Sequence, residues 1–108
     1  MLTTTTENVP GFDIVQVVGL VRGNTVRTRH VGRDIMASFK TLVGGEIESY
    51  TTLMTDAREQ ALDRMLEDAE ALGADAVIAI RFETSDLMAA AAELLVYGTA
   101  VKLRPKGK

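Results

Sequence analysis

A single imidazole limits the chemistry open to this chain. His30 is the only histidine, and Asp34 follows it by four residues. On a helix that spacing would put both side chains on one face. A histidine and a carboxylate can hold a divalent metal ion, but a closed zinc site wants four ligands. The further donors would be Glu46 or Glu48 from a neighbouring copy. The chain contains no cysteine. Thiolate sites for soft heavy metals, iron–sulfur clusters, disulfides and cysteine nucleophiles are therefore excluded together. Met54 and Met65 carry thioether donors but fall in an apolar helical stripe and read as core. The plainer reading of His30 is an exposed histidine in a basic loop, and composition favours it.

Four arginines, Arg22, Arg27, Arg29 and Arg33, surround that histidine. Repeated around a ring of copies, they would make a positive field able to hold phosphate or another small anion. Further along, Asp56, Glu59, Asp63, Glu67, Asp68 and Glu70 mark the outer face of a long helix. Attraction between the basic segment and this acidic face across a subunit boundary accounts for both clusters, and is the favoured interpretation. The pair Gly44-Gly45 could cradle a phosphate only with free N–H groups at a helix start and little negative charge nearby. Glu46 and Glu48 follow, and no lysine continues the pattern, so the pair reads as a structural turn between helices. Ser38, Ser49 and Ser85 lack a glycine-flanked elbow and would share one imidazole. The balance is against an enzyme. A small enzyme with an inter-subunit site built from His30, Arg33, Asp34 and Glu46 is the alternative, and a pore-lined scaffold for a protein partner is a third.

The elements that must position these residues follow from periodicity. Residues 1–8 form a short strand region around Thr3–Thr6, and Val9-Pro10-Gly11 makes a turn. From Asp13 a β-branched run predicts a long strand, with Gly19 marking a bulge or close approach and Gly23-Asn24 a bend or tight turn. Ile35, Met36, Phe39, Leu42 and Val43 have helical spacing. A second helix is predicted from about Tyr50 to Leu72, capped by Ser49 and stopped by Gly73. Its inner stripe is Tyr50, Leu53, Met54, Ala57, Ala61, Met65, Ala69 and Leu72. A strand follows with Ala76, Ile78, Ile80 and Phe82 on one face, and Val77, Ala79, Arg81 and Glu83 on the other. The alanine tract after Met88 is either a helical turn or a loop into a last strand over Leu94–Leu103, and residues 104–108 are a polar tail.

This is one α+β domain, 1–108, with a small antiparallel or mixed sheet covered on one face by a long helix. In the strands at Ile14–Val21 and Leu94–Leu103 both faces carry apolar residues. One helix cannot cover both, so a homo-oligomer is expected. A net charge of −3 and five aromatic residues without tryptophan argue against nucleic acid as a partner. No signal peptide or membrane-spanning run is visible, which predicts a cytoplasmic protein with no membrane partner.

The ordered fragments "VVGLVRGNTV", "RDI", "LVGGEIESY", "AREQAL", "LGADAVIAIRFE" and "YGTAVKL" resemble the YbjQ-like family, also labelled a putative heavy-metal-binding domain. The resemblance covers about Thr4 to Lys102. It implies a dodecin-like subunit that assembles with itself into a ring, a pentamer, and a divalent metal ion as the cofactor to look for. Members of that family often carry arginine after the paired glycines, whereas this chain has Glu46.

Overall fold

The computed structural model describes residues 1–28, 45–88 and 91–107. Its elements are β1 (Leu2–Thr3), β2 (Phe12–Thr28), α1 (Gly45–Ala71), β3 (Ala76–Met88) and β4 (Ala91–Pro105). They build one four-stranded sheet in the order β1-β3-β4-β2. β1 runs parallel to β3, and β4 pairs antiparallel with both of its neighbours. The architecture is the expected α+β, with a mixed sheet and one helix packed on it. The expected helix around Ile35–Val43 lies outside the described residues.

The β-branched density of Phe12–Thr28 makes β2 a 17-residue strand that stays paired with β4 from Phe12↔Pro105 to Thr28↔Ala91. Register shifts at Ile14/Gln16 and Val17/Gly19 put bulges in its first half, so the sequence signal at Gly19 was sound. Val9-Pro10-Gly11 does turn the chain: Gly11 has φ 88°, and the Phe12 N–H donates to the Val9 carbonyl at 3.0 Å.

Gly23-Asn24 makes neither a bend nor a turn. The strand runs straight through, and Gly23 serves a different need: a Cβ there would meet the Ala61 carbonyl oxygen, the Met65 nitrogen at 2.6 Å and the Arg64 Cβ at 2.9 Å. The helix backbone thus lies directly on the strand. Ala57, Ala61, Met65 and Ala69, all fully buried, form the stripe that permits this approach. Thr25 is also buried, and its hydroxyl donates to the Ala57 carbonyl at 3.2 Å.

α1 begins at Gly45, five residues ahead of Tyr50, so Ser49 lies inside the helix and not at its cap, and Gly45 belongs to the helix. Glu46 and Glu48 fall in its first turn. Gly44 lies outside the described residues. The other end is as expected. Gly73 adopts φ 74°, its N–H donates to the Glu70 carbonyl at 2.9 Å, and the Ala74 N–H to the Ala69 carbonyl at 3.1 Å. Those two bonds close a Schellman cap. Leu72 falls beyond the helix and is exposed, so it leaves the predicted stripe.

In β3 strict alternation fails at Ala79, whose φ of 54° accompanies a register shift between Ile78 and Arg81. The bulge inverts the faces downstream. Ile80 joins Val77, Val21 and Val96 under α1, while Ile78 and Ala76 pack with Val9 and Val101 on the other face. The alanine tract is neither helical turn nor loop at its described ends: β3 continues to Met88, and β4 starts at Ala91. Gly23→Ala should destabilise the fold by about 3 kcal/mol, because helix backbone cannot yield as a side chain can. Urea unfolding checks this, with Gly107→Ala as a neutral control since nothing lies near a Cβ there. A loss below about 0.5 kcal/mol would mean that helix and strand are not so closely packed.

Candidate functional site

β2 turns Gly23 and Thr25 toward α1, so the intervening Arg22, Asn24 and Val26 face the other way. Register extends this face across the sheet in three rows. Arg22, Tyr97 and Arg81 form the first, Asn24, Leu95 and Glu83 the second, and Val26, Glu93 and Ser85 the third. It is a mixed field of two guanidinium groups and two carboxylates around a tyrosine.

Most of these groups have local partners. The Asn24 amide donates to Glu93 Oε2 at 3.1 Å, and the Tyr97 hydroxyl to Glu83 Oε1 at 3.4 Å. Arg81 Nη1 donates to the Thr5 and Ile80 carbonyls at 2.9 and 2.8 Å, fixing the N-terminal segment against β3. Arg22 is exposed and makes no hydrogen bond among the described residues. Among the described residues it is the cation of this face without a partner.

Arg27 stands apart from Arg22. It lies on the helix side, where Nη2 donates to Gln60 Oε1 at 2.8 Å. The two arginines are five residues apart on one strand, and the structure does not bring them together. Arg29, Arg33, His30 and Asp34 lie outside the described residues. Glu46 and Glu48 are placed only as members of α1. No cluster of three histidine or acidic side chains occurs among the described residues.

The acids Asp56, Glu59, Asp63, Glu67, Asp68 and Glu70 are all exposed on α1, as their spacing implied. An open groove of about 640 Å³ beside Val9, Phe12, Asp13 and Lys106 holds only one charge of each sign. Sequence reasoning missed Arg81, Glu83, Glu93 and Tyr97 as a group. Their period-2 spacing within each strand was visible, but the rows depend on a register that no single strand encodes.

A family profile described as "putative heavy-metal-binding" matches residues 1–104. A UPF0145 protein of Methanoculleus marisnigri is 60% identical over 106 residues, covering 98% of this chain and 99% of the relative. Another from Archaeoglobus fulgidus is 58% identical over 104 residues, and one from Thermosipho melanesiensis 56% over 106. The coverage is 96% of both chains in the first pair and 98% of both in the second. The fold is similar to a crystal structure of a protein with unknown function from Pediococcus pentosaceus. That likeness has a TM-score of 0.65 at 17% identity over 96% of this chain and 98% of the other.

Arg27→Ala, which loses the bond to Gln60, should cost about 1 kcal/mol in urea unfolding. Arg22→Ala should stay within about 0.5 kcal/mol of the parent. Equal losses would show that Arg22 is also a structural residue.

Proposed function

The chain belongs to the YbjQ family, and from that premise we propose that it is a non-catalytic binding module of the cytoplasm. Copies assemble with one another and hold a divalent metal ion or a small anion between them. The observation that supports this is surface left uncovered. The chain exposes 7317 Å², against about 5,900 Å² for a compact protein of its mass. Its radius of gyration is 17.9 Å, where about 13 Å suits a compact chain of 100 residues. Val17 and Leu20 on β2 are 65% and 68% exposed. A ring, with five copies as the resemblance implies, would use that surface.

The donor set bears on the metal. With one histidine and no cysteine, a lone chain has no thiolate to offer a soft heavy metal. Copies sharing ligands change this, because His30 and Asp34 of one could meet Glu46 and Glu48 of the next. A borderline or hard divalent ion suits such a nitrogen and carboxylate set better than a soft one. For an anion, Arg22, Arg29 and Arg33 are the cations to test. In the sequence, no serine sits in a glycine-flanked nucleophile elbow. No helix among the described residues is long and apolar enough to cross a membrane.

Native mass spectrometry should give a multiple of the 11.7 kDa chain. Val17→Asp should lower that multiple while leaving the fold intact. Val96→Asp should instead unfold the chain, since Val96 is fully buried beneath α1. Elemental analysis should find a divalent metal that His30→Ala removes without dissolving the assembly. A monomer at micromolar concentration would refute the assembly, and metal retained in His30→Ala would refute the ligand set.

A further inference from the structure

Where the chain enters β2 it closes one end of a groove to which α1 contributes no residue. Val9 anchors this end. Its side chain is buried with Ala76, Ile78 and Val101 in an apolar cluster, and Ile14 packs against them. Val9-Pro10-Gly11 then turns the chain back, with the Phe12 N–H bonded to the Val9 carbonyl at 3.0 Å. The end of β4 supplies the opposite wall. Phe12 pairs with Pro105, and the Lys106 N–H donates to the Gly11 carbonyl at 2.9 Å. Thr6 Oγ1 donates to the Asn8 carbonyl at 2.7 Å and holds the approach to the turn. Backbone bonds on both sides thus preform the rim.

The open space is about 640 Å³, within the roughly 300–1,000 Å³ usual for small-molecule sites. Its lining divides by chemistry. Val9, Pro10, Phe12 and Ile14 give an apolar wall, on which the Phe12 ring is 37% exposed. Asp13 and Lys106 bring one carboxylate and one ammonium. Neither side chain has a hydrogen bond or ion pair among the described residues, although opposite charges line one groove. Arg104 is level with Asp13 across the strand pair but does not line the groove. A ligand of single charge would gain at one of these groups and be repelled by the other. A ligand carrying both charges would be matched at each, with an apolar body lying on Phe12, Val9 and Ile14.

Register sets how far apart those charges should be. Lys106 lies one step outside the Phe12–Pro105 rung and Asp13 one step inside it, a diagonal of roughly 7–8 Å. With two side chains reaching inward, so short a diagonal suits charges carried on a single carbon, not at the ends of a long chain. We infer that the groove binds a free α-amino acid with a large apolar side chain. Its ammonium meets the Asp13 carboxylate and its carboxylate meets Lys106 Nζ. The site lies within one chain and needs neither the metal nor the assembly proposed above.

Phenylalanine, phenethylamine and phenylpropionate share a ring and differ in charge, so their binding to the intact protein separates the two charge contacts. Ligand-observed NMR titration would give each dissociation constant. Phenylalanine should bind at about millimolar concentration, and each analogue about fivefold more weakly, the size of one exposed charge contact. Asp13→Asn should erase the margin over phenylpropionate, and Lys106→Gln the margin over phenethylamine. Both positions are exposed, so neither substitution should disturb the fold. Equal affinity for the three probes, or no saturation by phenylalanine at about 50 mM, would overturn the inference. Margins that survive both substitutions would overturn it too. Binding by the dissociated Val17→Asp chain but not by the parent would mean that a second copy fills the groove, and would also overturn it.

Discussion

The close contact between α1 and β2 at Gly23 organises the rest of the molecule. A helix ordinarily rests on a sheet at a distance set by its side chains. Here Ala57, Ala61 and Ala69 contribute only methyl groups, and Gly23 contributes none, so backbone meets backbone. Met65 fills what space remains, and the Thr25 hydroxyl bonds to the helix itself. Such packing stabilises through many dispersion contacts but has no tolerance for added volume. It also anchors the helix over an outer strand instead of the sheet centre.

From that displacement follow the features that bear on function. A helix centred on β2 covers Val77 and Ile80 of β3 but leaves Phe82, further along the strand, 46% exposed, and no second helix among the described residues covers the reverse face. Val9 and the N-terminal segment shield only the end of that face near Ala76, Ile78 and Val101. The rest carries Arg22, Tyr97, Arg81, Glu83 and Glu93 in cross-strand rows. Charges so placed are suited to selecting a partner's orientation more than to supplying affinity.

Much of the fold was legible in the sequence, for identifiable reasons. The alanine and methionine stripe of α1 repeats at helical spacing, and Gly73 sits where a left-handed cap must fall. The β-branched run from Asp13 could hardly be anything but a strand. What failed did so where tertiary contact overrides local preference. Gly23-Asn24 has the composition of a turn, yet the glycine is required by a helix distant in sequence. Alternation in β3 predicted the wrong face for Ile80, because the Ala79 bulge has no local signature in an alanine. Glu46 and Glu48 were read as preceding a helix whose first turn they occupy. The candidate site was less legible than the fold. Arg22 and Arg27 are close in sequence but on opposite faces, while Arg22, Tyr97 and Arg81 share a row that only register assembles.

The central claim is the proposed self-assembly, in which another copy covers surface that this sheet leaves exposed among the described residues. Amide hydrogen exchange over Leu20–Val26 and Phe82–Ser85, followed as the protein is diluted, tests it most directly. The account predicts slow exchange in both segments at high concentration, with protection lost from both together as the assembly dissociates. Outward-facing amides that exchange rapidly in an intact oligomer, or slowly in a proven monomer, would contradict it.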